Sequence, residues 1–150
     1  MKTFRQCAVL VFVVAVYSAF TWADTPGKHP YYLHALSDLR YARALLDKLS
    51  PSDHVDDLEQ HAIEEIEKAI AEIKKASIDD GKDLKDHPHV DMKLGHRDRY
   101  KKALELIDKV NKDISREEDD AKVRGLRDRA LKHVGEAHRL IMDLIHSAKD

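Results

Sequence analysis

The chain has 150 residues, with 26 basic and 28 acidic side chains, a net charge of −2, ten histidines and one cysteine. No basic face stands out to meet a phosphate backbone, so nucleic acid is not an expected partner. A single thiol leaves no internal disulfide framework and no cysteine-type zinc site or haem attachment.

In chain order, Lys2 and Arg5 precede a nearly continuous apolar run from Gln6 to Phe20, and Thr21-Trp22-Ala23 offers small residues at the −3 and −1 positions of a cleavage site. That order predicts a secretory signal peptide over 1–23, cut near Ala23, and a mature periplasmic or extracellular chain with no membrane segment. The run is shorter than the roughly 20 residues of a membrane anchor. Cys7 opens it and leaves with it. The expected mature domain, 24–150, keeps 24 basic against 28 acidic residues, a net charge of −4.

A first helix is expected over about 30–49, with Tyr32, Leu36, Leu39, Ala42, Leu46 and Leu49 recurring every three or four residues and Pro30 in its first turn. Ser50-Pro51-Ser52-Asp53 restarts the chain as N-cap, N1 and first-turn charge of a second helix over 51–79. Its inward face is Val55, Leu58, Ala62, Ile66, Ala69, Ile73 and Ala76, and Gly81 is placed to close it. Residues 81–95 form the longest connection. A third helix over 96–114 presents Tyr100, Ala103, Ile107, Val110 and Ile114. Ser115-Arg116-Glu117-Glu118 has the form of a capping box, predicting a fourth helix over 116–148 through Val123, Leu126, Ala130, Val134, Ala137, Ile141 and Leu144. The expected fold is all-α: an antiparallel up-down four-helix bundle made of two helical hairpins.

A faint repeat supports the hairpin division. Arg40-Tyr41 with its following Ala44-Leu45-Leu46 matches Arg99-Tyr100 with Ala103-Leu104 and Leu106-Ile107. The frame Ala62, Ile63, Ile66, Ala69 matches Ala130, Leu131, Val134, Ala137. A duplicated hairpin with approximate two-fold symmetry would produce both, as would convergent amphipathic patterning.

The histidines carry the functional expectation. In a strictly alternating bundle, the start of the first helix, the 81–95 loop, the start of the third helix and the end of the fourth share one pole. His29, His34, His87, His89, His96, His138 and His146 then gather there, with Asp143 and several further aspartates. Imidazole with carboxylate is a donor set for copper, zinc or nickel. His87-Pro88-His89 and Asp143-x-x-His146 are the tightest local pairs. The metal site expected from sequence is therefore His29, His34, His87, His89, His96, His138, Asp143 and His146. His133 and His96 read more simply as residues at the edge of the core, and His54 and His61 as solvated surface.

Signals of catalysis are missing. The chain has no Gly-rich phosphate loop, nucleophile elbow or HExxH, and no Glu-x-x-His of the kind a di-iron bundle requires. With its segment Met1–Ala23, four amphipathic helices and scattered His34, His54, His61, His133, His138 and His146, the chain resembles the small, cysteine-free, histidine-rich periplasmic bundles called small metal-binding proteins. The resemblance covers the general plan, since those proteins space their histidines more regularly, and it implies divalent-metal sequestration. The competing expectation is a structural or interaction module that self-assembles into a homo-oligomer or binds a protein partner without a cofactor. A pH sensor built on the same histidines is a third.

Overall fold

The computed structural model describes residues 29–47, 57–75, 81–91, 93–117 and 124–148. These form four helices: α1 (Pro30–Leu46), α2 (Asp57–Lys75), α3 (His96–Arg116) and α4 (Leu126–Ser147), with no strand among the described residues. The expected signal segment, the Ser50–Asp53 cap and the end of the second helix beyond Lys75 lie outside the described residues. No helix among them is long and apolar enough to cross a membrane.

The apolar stripes close on one another as their spacing requires. Leu36, Leu39 and Leu46 of α1, Ile66 and Ile73 of α2, Ile107 and Ile114 of α3, and Leu126 and Ile141 of α4 are buried in one continuous core. Each such aliphatic side chain contributes about 1.5–3 kcal/mol by leaving water. α1 is the most enclosed helix, with Ala44, Leu45 and Leu46 buried in succession. It packs against α2 and α3, while α4 also packs against α2 and α3.

Cross-helix bonds fix the directions. His29 at the start of α1 meets Glu117 just beyond the end of α3, and Asp38 meets Lys109, so α1 and α3 run antiparallel. Glu72 meets Arg129 and Glu65 meets His133, so α2 and α4 are antiparallel as well. Tyr100 reaches Glu59, which brings the starts of α2 and α3 to the same end. The sense is therefore up, down, down, up. Strict alternation is not what these contacts give. The physical reason is the connection between α2 and α3, whose 20 residues are long enough to return along the whole bundle. Arg40 Nη2 of α1 and Lys74 Nζ of α2 both donate to the Lys82 carbonyl, and Leu84 packs against the core, which docks the connection on these two helices.

The boundary between α3 and α4 also differs from expectation. Ser115 lies inside α3, where its hydroxyl donates to the Asn111 carbonyl one turn back, and so it is not a cap. α3 continues to Arg116, and Glu117 has extended backbone. α4 begins after Gly125, whose φ of 71° is the left-handed conformation that glycine adopts without strain.

Candidate functional site

Each end of the bundle is fastened by a carboxylate from a different helix. At the first end are the start of α1, the end of α3 and the start of α4. α1 has no cap from its own His29 side chain. Instead Glu117 accepts the Tyr31 backbone N–H at 2.8 Å and the His29 Nδ1–H at 3.1 Å. The start of α1 thus takes its cap from a residue 86 positions away in the sequence. The His29 ring also packs on Tyr32 at 5.5 Å between centroids, and its Nε2 is buried.

At the other end, the Tyr100 hydroxyl donates to Glu59 at 2.6 Å, with Glu59 2% exposed. His96, the first residue of α3, lies edge-on to Tyr100 at 6.1 Å. His146 is exposed at the end of α4.

The flank between α2 and α4 carries most of the perturbed carboxyls. Glu72 is held low by hydrogen bonds from Lys75 and from Arg129 Nε, the latter at 2.8 Å. Glu65 accepts from His133 Nδ1 at 2.7 Å and from Lys68 Nζ at 2.7 Å. Burial pushes the Glu65 carboxyl up, but the Lys68 and His133 hydrogen bonds with their charges outweigh it and leave it below the ordinary value. An ionised Glu65 can only accept, so His133 carries its proton on Nδ1. One turn along α4, Glu136 is engaged by Arg139 at 2.6 Å. On the α3 side, His138 Nε2 lies 3.4 Å from Asp108.

The predicted metal residues do not meet at one pole. His29 and His34 belong to the first half of α1, whereas His96 and His146 lie at the opposite end of the bundle. His87 donates Nδ1–H to the Pro88 carbonyl at 2.8 Å, and His89 is exposed beside it on the connection. Asp143 is bound by Arg139 at 2.8 Å. Among the described residues, no three His, Asp or Glu side chains are placed to hold a metal ion. The split follows from the long connection, which puts the start of α3 where strict alternation would have put its end.

Local pattern does not mark Glu65, Glu117 or Asp108 as partners of the histidines they meet. One signal points to the first of them. Glu65 and His133 occupy equivalent places in the two matching frames, so antiparallel packing of the repeat brings them face to face. Comparison with known proteins yields no match to a family model, to a curated protein or to a solved structure.

Proposed function

We propose that the mature chain is a non-catalytic, exported protein that takes up divalent transition ions weakly and at several points, through imidazole–carboxylate pairs that join helices. The observation that supports this reading is the pairing of described histidines with carboxylates of other helices: His133 with Glu65 and His138 with Asp108, both partly open to solvent. A histidine whose one ring nitrogen donates to a carboxylate keeps the other nitrogen as a lone pair, the form a metal requires. His29 also pairs with Glu117, but its remaining nitrogen is buried, so it serves the packing of α1 instead.

One imidazole donor in each pair leaves most of a coordination sphere to water. Affinity is then modest, and exchange is fast enough for buffering. The donor set favours copper(II), zinc or nickel, because no thiolate remains after cleavage at Ala23. The test is calorimetric titration of the metal-stripped mature protein with each ion at pH 7.5. The reading expects saturable binding that weakens below about pH 6, as imidazoles protonate. Featureless, unsaturable heats would overturn it in favour of an interaction module. That module would then show as an oligomer insensitive to chelator in light scattering.

A further inference from the structure

We propose that the outer groove of α2 receives a second copy of this chain, which presents Tyr31 and Arg116 from its α3 side. The inference is independent of the metal reading and concerns a different face of α2 from the one that meets α4.

Charge is divided across the bundle. α2 and α3 occupy opposite corners, each packed on α1 and α4. α2 carries six acidic side chains against three lysines, and α3 carries seven basic against four acidic. The molecule therefore has an acidic flank and a basic one. Copies that meet through unlike flanks attract, whereas like flanks repel.

The groove gives the acidic flank an apolar recess. It has a volume of about 670 Å³ and lies between α2 and the start of the 81–91 connection. Ile70, Ala71 and Leu84 supply its apolar lining, and Glu64 and Asp83 are exposed at its edge. Three further charged side chains border it and are engaged within the chain. Glu67 accepts from Arg43, Lys68 donates to Glu65, and Lys74 donates to the Lys82 carbonyl. Glu64 and Asp83 thus carry the charge offered to a partner.

The α3 flank supplies a matching projection. Tyr31 is the only large hydrophobic side chain exposed among the described residues, at 37%. The Arg116 guanidinium lies over its ring, 5.8 Å from the centroid, and Lys112 is exposed one turn before Arg116. Tyrosine and arginine are the residue types that concentrate binding energy at protein interfaces. The ring suits the apolar lining, while Arg116 and Lys112 suit Glu64 and Asp83. The patch is small, so the association is weak and reversible.

Projection and groove are different surfaces, so the contact is heterologous and continues from copy to copy. Light scattering of the mature chain in chelator should show association at about 100 µM that grows past the dimer and fades in about 0.5 M salt. Tyr31→Ala/Arg116→Ala and Glu64→Lys/Ala71→Arg change exposed side chains, so both double variants should melt as the wild type does. Each alone should associate at least about tenfold more weakly. Mixed in equal amounts, the two should pair and stop at the dimer, because each contributes its one intact surface. A wild-type chain that stays monomeric at about 1 mM overturns the proposal. So does full-strength association of both variants, or a mixture that stays monomeric. Wild-type association that chelator abolishes overturns it as well, and assigns assembly to bridging metal ions.

Discussion

The two ends of the bundle solve the same problem with different chemistry. At one, the Glu117 carboxylate crosses from α3 to cap the start of α1, taking a backbone N–H and an imidazole N–H together. At the other, Glu59 takes a phenolic hydroxyl from Tyr100 in a site closed to solvent. The first joins backbone to charge and orders one helix terminus. The second joins two side chains and sets where two helices begin relative to each other. A helix end can therefore be completed by tertiary structure when its own sequence offers no cap.

The comparison can be broken from its middle outward. Ile107→Ala, in the core shared by both ends, should cost about 2–5 kcal/mol in urea unfolding while keeping a single transition. Loss of cooperativity would mean that the ends are separate units. Tyr100→Phe should cost about 1–3 kcal/mol, because it removes a donor from a buried carboxylate. Glu117→Ala should cost about 1–2 kcal/mol. Its hydrogen-exchange signature should be confined to the first turn of α1, and exchange that accelerates equally in α2 would refute the capping role.

Smaller still is the effect of acid. Glu65 and Glu72 have carboxyls below the ordinary value of 4.5 in the folded chain. Their contribution is complete above that value and is lost as pH falls through their lowered folded values. Stability should therefore decline below about pH 4.5, and Glu72→Gln should flatten that decline while leaving the curve between pH 6 and 8 unchanged in shape.

The helical stripes were legible because burial imposes a period of 3.6 residues, which Tyr32 to Leu46, Ala62 to Ile73 and Tyr100 to Ile114 all keep. Ser115-x-x-Glu118 misled because a capping box is a local signal, and the structure uses Ser115 inside α3 and Glu117 for another helix. The histidines expected at one pole are divided between the two ends for a related reason. Which pole a residue occupies depends on where the connection delivers the chain, and that is set by docking on α1 and α2, through contacts such as Arg40 and Lys74 to Lys82. Glu65 and His133 are 68 residues apart, a pairing no window of helical length contains.

The up-down-down-up sense gives the repeated hairpins a particular relation. α1 lies antiparallel to its counterpart α3, α2 lies antiparallel to its counterpart α4, and Arg40 and Arg99, which correspond in the repeat, are both buried. Such an arrangement is isologous, like the contact between two copies in a homodimer. The long connection makes the association intramolecular, at an effective concentration set by the tether instead of by the number of molecules present. Docking of the two halves is thereby freed from dilution.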